Sequence, residues 1–286
     1  MYSEFKNKRV AIFGGTGSIG QAILKELIKI DCYITVVSNN ENELWETSRK
    51  FKDNDNIIYK FCDIRNYESV NDTCLPYIDY VFNCAAMKHV PICEENVINS
   101  VYTNIIGLHN IILGCKNNIV LKLIQISTDK AVEPTSVMGA TKLIGERLCL
   151  SNNSSGITKI SCVRFGNVYG SRGSIVPIIQ DKLQKDKHLP LTDTRMKRYF
   201  IKIEKAAEFI INSMIMMEGG EIFVPEMEEI YIVDLFEDLI LESGIPRTEV
   251  TIEEIGIRSG EKITEKLMTA KEEAQKIKIK GGYKIG

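Results

Sequence analysis

The stretch Arg9-Val10-Ala11-Ile12-Phe13-Gly14-Gly15-Thr16-Gly17-Ser18-Ile19-Gly20 runs a β-branched apolar segment straight into a glycine-rich turn. Glycines at 14, 17 and 20 let the backbone turn sharply and come close to a pyrophosphate. A helix beginning near Ser18 would aim its free N–H groups and the positive end of its dipole at that anion. Gly14, Thr16, Gly17, Ser18, Ile19 and Gly20 are therefore candidate dinucleotide contacts. A purely structural strand–helix turn is the competing account. Placement between the first strand and the first helix favours the phosphate reading.

Outward from that turn, short apolar runs alternate with amphipathic stretches. Strands are expected at Arg9–Phe13, Tyr33–Ser38, Asn56–Asp63, Asp79–Cys84, Val120–Ser127 and Lys159–Phe165. The intervening helices are Ile19–Ile30, Asn42–Lys50, Asn96–Cys115 and Met138–Leu150. Continuous apolar runs suit strands buried on both faces of a parallel sheet. The alternation predicts an α/β fold, a doubly wound parallel Rossmann sheet, over residues 1–174. From 175 to 268 the rhythm changes to helix 175–184, strand 198–201, helix 204–217, strand 221–224, helix 232–241, strand 249–254 and a last helix near 261–268. This reads as a small mixed α/β C-terminal substrate lobe, with strand exchange between the two units allowed. The lysine-rich segment 269–286 reads as a loosely held tail.

Composition narrows the function. Hydrophobic residues make up 44% and charged residues 26%, ordinary for a globular enzyme. A net charge of −2 argues against nucleic acid or an anionic membrane as partner. The eight cysteines lack any C-x-x-C pair, so reduced thiols, a cytoplasmic location and no metal site are expected. The first residues lack an apolar signal core, and no run reaches the roughly 18 apolar residues of a membrane span.

Further cofactor candidates sit at the strand ends. An acid at the tip of the second strand would favour NAD and an arginine NADP; Ser38 and Asn39 stand there and decide neither. Asp63 and Ile64 close the third strand, where Asp63 could meet adenine or cap a turn. Ala85 and Ala86 are small enough for a cofactor to lie over the fourth strand. Lys88 suits phosphates of cofactor or substrate, with a solvated lysine as the bland alternative, and His89 carries less weight.

Past the fifth strand, Ser127-Thr128-Asp129-Lys130 sets an acid beside an amine, and Met138 precedes Lys142 by four residues. Many dehydrogenases carry Tyr-x-x-x-Lys at that spacing, and a thioether cannot exchange the phenol's proton.

With Thr103-Asn104, these segments resemble the extended short-chain dehydrogenase/reductase superfamily, and more closely its UDP-N-acetylglucosamine 4,6-dehydratases. The closer matches are Ser127 to Val132, Arg164-Phe165-Gly166-Asn167-Val168, Gly173-Ser174, Thr192 to Phe200, Gly219 to Pro225 and Gly256-Ile257-Arg258-Ser259-Gly260-Glu261-Lys262. Some members carry methionine for tyrosine. The resemblance implies NAD or NADP, tightly bound and regenerated each turnover, with Asn104 and Lys142 among its contacts. It implies oxidation of a UDP-sugar at C4, loss of the C5 proton, departure of the C6 hydroxyl as water and hydride return to C6. Lys130 is the candidate C5 base, and Asp129 the candidate acid at the C6 oxygen. Asp129 could also take the C4 proton, relayed by Thr128, in the absence of a tyrosine at Met138. Lys88, Asn167, Ser174, Arg258 and Glu261 are the substrate candidates, with Arg195 and Arg198 weaker ones that surface ion pairs would explain equally well. A homo-oligomer paired through helices Asn96–Cys115 and Met138–Leu150 is expected. A dehydratase with added C5 epimerisation, a sugar-nucleotide epimerase, and a non-catalytic NAD(P)-binding protein remain alternatives.

Overall fold

A computed structural model describes residues 2–153, 157–258 and 260–286; Ser259 of the Gly-x-Arg-x-Gly-Glu-Lys segment lies outside the described residues. The strands are β1 (Arg9–Phe13), β2 (Tyr33–Ser38), β3 (Ile57–Phe61), β4 (Tyr80–Asn83), β5 (Lys122–Thr128), β6 (Lys159–Phe165), β7 (Asn167–Tyr169), β8 (His188–Leu191), β9 (Lys197–Lys202), β10 (Ile222–Pro225), β11 (Glu228–Tyr231), β12 (Thr251–Glu254), β13 (Ile277–Ile279) and β14 (Gly282–Ile285). Nine of them form one sheet in the order β13-β14-β10-β6-β5-β4-β1-β2-β3. From β3 to β10 every pairing is parallel. The order 3-2-1-4-5-6 reverses between β1 and β4, and at such a reversal the two flanking strands open a crevice at their carboxyl ends.

Alternate residues of each central strand feed two cores. Val10 and Ile12 pack with Ile23, Leu24, Phe209 and Ile210 on one face. Ala11 and Phe13 pack with Leu108, Ile111 and Cys115 on the other. Val10 to Phe13 are fully buried, as a strand covered by helices on both sides must be. The expected helices 19–30, 42–50 and 138–150 are present as Ser18–Leu27, Glu41–Lys50 and Val137–Asn152. The mixed lobe is built from β7, β9 and β11, the pair β8 and β12, and helices Ile175–Lys185 and Ile232–Ser243 around Val176, Leu183, Leu191, Phe236 and Leu239. β10, which follows β7 to β9 in the chain, returns to pair with β6 in the large sheet.

Three expectations need correction. The segment 269–286 is not a loose tail. Thr269 and Glu272 cap helix Ala270–Gln275 reciprocally, and β13 and β14 extend the sheet antiparallel to β10. Alternation in Ile277-Lys278-Ile279 and Tyr283-Lys284-Ile285 around Gly281-Gly282 is a hairpin pattern, and its lysines suit an edge strand. No helix forms over 261–268, where an irregular path buries Glu265 and Met268. The helix expected at Asn96–Cys115 is broken into Val97–Val101, a π-turn at Tyr102–Ile106, and Gly107–Asn117.

Candidate active site

A cleft of about 880 Å³ opens at the carboxyl ends of β1, β2, β4, β5 and β6. Its floor begins at the glycine turn. Gly14 has φ +69°, and a side-chain carbon there would lie 2.7 Å from Ala85 N, so only glycine lets the first turn approach the end of β4. Gly17 N donates to Gly14 O at 3.0 Å, and the helix opens at Ser18 with its first amides free. Thr16, Ser18, Ile19 and Gly20 line this end of the cleft, followed by Ser38, Asn39, Asp63, Ile64, Ala85, Ala86 and Lys88. Asp63 accepts from Arg65 N and from Nε and Nη2 of the Arg65 guanidinium, which hold its carboxyl below the usual range. It therefore caps a turn while its surface still faces the cleft.

Asn104 lies elsewhere than expected. The π-turn sends its side chain into the protein, where Nδ2 donates to Met87 O (2.9 Å) and Thr141 Oγ1 (3.0 Å) and Oδ1 accepts from Met87 N (2.8 Å). It lies outside the cleft lining and fixes the backbone just past Ala85-Ala86.

The catalytic candidates converge because β5 ends in a 3-10 turn, Asp129–Ala131, capped by Thr128. Ser136 caps the next helix through Gly139 N at 3.1 Å. Gly139 packs its backbone on that turn, since a side-chain carbon there would fall 2.3 Å from Lys130 O. Met138 and Lys142, one helical turn apart, then face the cleft together. Asp129 is fully buried; its Oδ1 accepts from Thr128 Oγ1 (2.9 Å) and Lys130 Nζ (3.0 Å), and its buried Oδ2 lacks a partner. Thr128, Lys130, Met138 and Lys142 line the cleft, with Asp129 directly behind.

Lys142 Nζ donates to Ile126 O at 2.9 Å, and burial lowers its pKa to about 8. A depressed lysine makes the charged form costly in the folded state. Between pH 8 and the ordinary 10.5 the unfolded chain binds more protons than the folded one, so stability rises with pH across that window. Thermal melting without added nucleotide should show this as a difference: the stability of wild type relative to Lys142→Met should rise with pH across that window, while buried thiols such as Cys32 and Cys84, whose pKa values burial raises, pull both proteins the other way.

The substrate candidates divide. Asn167 and Ser174 line the cleft; Asn167 Nδ2 donates to Tyr199 O at 3.3 Å, and Ser174 Oγ is buried without a partner at the start of helix Ile175–Lys185. Lys88 Nζ donates to Arg172 O at 2.7 Å. Arg258 and Glu261 lie outside the lining, on a segment that borders the catalytic turn through Thr135 Oγ1 to Gly260 O (3.0 Å) and Lys262 Nζ to Val132 O (2.8 Å). Arg195 also lies outside the lining; its guanidinium is bound to Asp193, whose pKa it holds at about 2. Arg198 is buried and bonds the carbonyls of Lys197, Lys262 and Ile263, a structural tie.

Two groups had no signal in the sequence. Buried Glu265 puts Oε1 3.9 Å from Lys130 Nζ and Oε2 3.3 Å from Lys262 Nζ, so Lys130 lies between two carboxylates. Glu43 lines the cofactor end of the cleft and accepts from Thr16 Oγ1 at 2.6 Å.

The polysaccharide biosynthesis protein family matches this chain over residues 10–285. The chain belongs to that family. It is 39% identical over 272 residues to the UDP-N-acetylglucosamine 4,6-dehydratase (inverting) of Campylobacter jejuni, spanning 93% of this chain and 79% of that protein. It is 32% identical over 289 residues to the UDP-glucose 4-epimerase of Rickettsia felis, spanning 98% and 83%. The X-ray structure of Pen from Bacillus thuringiensis matches with a TM-score of 0.94 at 39% identity, over 98% of this chain and 88% of that one. Kinship with the extended short-chain dehydrogenase/reductases and their UDP-N-acetylglucosamine 4,6-dehydratases therefore holds, as does the doubly wound fold.

Proposed function

We propose that the chain is a nicotinamide-dependent sugar-nucleotide 4,6-dehydratase acting on UDP-N-acetylglucosamine. The observation that carries this reading is one cleft lined by the glycine turn and by Thr128, Lys130, Met138 and Lys142, with buried Asp129 bonded to Thr128 and Lys130 behind it. A dinucleotide fits the residues present: the Gly14 turn packs against the end of β4 with no room for a side chain, leaving bare backbone at the cleft floor, and the first amides of the helix at Ser18 are free for a pyrophosphate. When bound, the nicotinamide accepts and returns a hydride. Lys142 would hold its ribose, and Ala85 and Ala86 would leave room for it.

The chain's own residues supply the proton chemistry. Thr128, which donates to Asp129 Oδ1, relays the C4 hydroxyl proton to that carboxylate. The resulting ketone acidifies C5, and Lys130 removes that proton. Asp129 then hands its proton to the C6 oxygen, which leaves as water. Lys88, Asn167 and Ser174 bind the diphosphate, with Arg258 and Glu261 at the uridine side. The similarity to UDP-glucose 4-epimerase keeps a second reading, epimerisation at C4 without water loss. Incubation with UDP-N-acetylglucosamine separates the two. A product lighter by one water supports the dehydratase, and unchanged mass overturns it. Proton NMR after reaction in deuterated water reads the C5 configuration.

The same reading includes a homo-oligomer. Ile98, Tyr102 and Ile106 recur every fourth residue and are exposed, and Leu113 and Ile144 add to this apolar face. Paired copies would cover it. Sedimentation should find a dimer or larger species in the native chain and a monomer in Ile98→Glu/Ile106→Glu; a native monomer would refute the pairing.

A further inference from the structure

We propose that Glu265 is a positioning residue for the C5 step. It acts through Lys130, holding the ammonium that forms there while Asp129 is neutral. The inference rests on the dehydratase reading above.

The proton count calls for such a group. Asp129 receives the C4 hydroxyl proton first, so it is a neutral acid when Lys130 removes the C5 proton. The C5–H electron pair becomes the C5=C6 bond as C6–O breaks, and the departing oxygen takes the proton of Asp129. Hydride then returns to C6, and Lys130 gives its proton up as C5 is reprotonated. Carboxylate and amine are thereby restored. Between the first transfer and the last, the carboxylate 3.0 Å from Lys130 Nζ is discharged just as the amine gains its charge.

Among the described residues, Lys130 pairs with two carboxylates, Asp129 and Glu265. Glu265 Oε1 lies 3.9 Å from Lys130 Nζ, too far for a hydrogen bond and well within Coulomb reach. Its Oε2 lies 3.3 Å from Lys262 Nζ yet accepts no hydrogen bond. Such loose pairing returns little stability for burying a carboxylate, because desolvation offsets it. The protein nevertheless holds the group firmly. Residues 262–268 form neither helix nor strand, and two buried arginines pin them. Arg198 binds the carbonyls of Lys262 and Ile263, and Arg164 binds that of Leu267. Glu265 lies between those anchors, its charge set beside the turn that carries Lys130.

Two measurements test this. In Glu265→Gln mixed with UDP-N-acetylglucosamine, kcat should fall at least about tenfold while KM stays within about threefold. Reduced nicotinamide should accumulate, because C4 oxidation precedes the step that Glu265 serves. Glu265→Asp keeps the charge at a greater distance and should show the same signature at smaller size; it replaces Glu265→Gln if that variant fails to fold. The second measurement needs no substrate. Asp129→Asn removes the first charged partner of Lys130. In urea, Glu265→Gln should therefore shift the unfolding equilibrium at least about fivefold further in that background than in the wild type. Turnover lost without reduced nicotinamide, an unchanged kcat, Glu265→Gln outperforming Glu265→Asp, or additive unfolding shifts would each overturn the proposal. A wild type that forms no product lighter by one water would overturn the dehydratase reading, and this inference with it.

Discussion

Asp129→Asn is expected to lower turnover at least about 1,000-fold and to stop hydride transfer together with water loss. The substitution keeps the shape and the contacts to Thr128 and Lys130 while removing the carboxylate proposed to take and return a proton. Met138 stands in the cleft where a tyrosine would supply a phenol, and no tyrosine is among the described residues lining it. The two steps can be read apart, since reduced nicotinamide absorbs where the oxidised form does not. Mixing the variant with UDP-N-acetylglucosamine should therefore give neither reduced nicotinamide nor a product lighter by water. Accumulation of reduced nicotinamide in the variant would assign the C4 proton to another acceptor and confine Asp129 to the C6 oxygen. Near-native melting of the variant would exclude misfolding as the cause.

Arg164→Ala is the second large effect, and it falls on stability. The Arg164 guanidinium is buried, donates Nε and Nη2 to Glu146, and reaches Glu272 and Leu267 O through Nη1 and Nη2. Burial opposes its charge, but the bonds to Glu146 and Glu272 outweigh that and hold the proton more tightly than usual. Ser127 Oγ donates to the same Glu146 at 2.6 Å, so the triad abuts the catalytic turn. Removing the arginine leaves a buried carboxylate with one hydroxyl partner, at a cost of about 3–5 kcal/mol. Urea unfolding should show a loss of that size, and hydrogen exchange at Ile277–Ile285 should quicken as helix Ala270–Gln275 loses its anchor. A loss under about 1 kcal/mol would mean that water reaches Glu146 freely.

Local pattern made most of the sheet legible. β1, β2 and β6 begin and end where their apolar runs do, because a strand covered on both faces has no polar position to blur its limits. The C-terminal hairpin was obscured by its lysines: an edge strand alternates, so half its residues look like solvent. The break at Tyr102–Ile106 could not be read, since its residues suit a plain helix and only the tertiary demand on Asn104 distorts it. In the cleft, residues at strand ends and in the glycine turn fell where the pattern put them. Glu265 and Glu43 were missed because their partners are distant in sequence: Glu265 meets Lys130 across 135 positions (265 − 130), and Glu43 meets Arg172 across 129 (172 − 43). Arg195 and Asn104 matched expected motifs, yet Asp193 in one case and the Met87 backbone in the other had already claimed them.

The unpartnered Oδ2 of Asp129 puts working capacity and durability in opposition at one atom. A buried acceptor without a donor weakens the folded state, and the protein carries that weakness wherever the cleft is empty. Selection for heat tolerance alone would therefore favour apolar replacements at position 129 and discard catalysis. Selection for turnover would protect the carboxylate, because the proposed proton chemistry needs it.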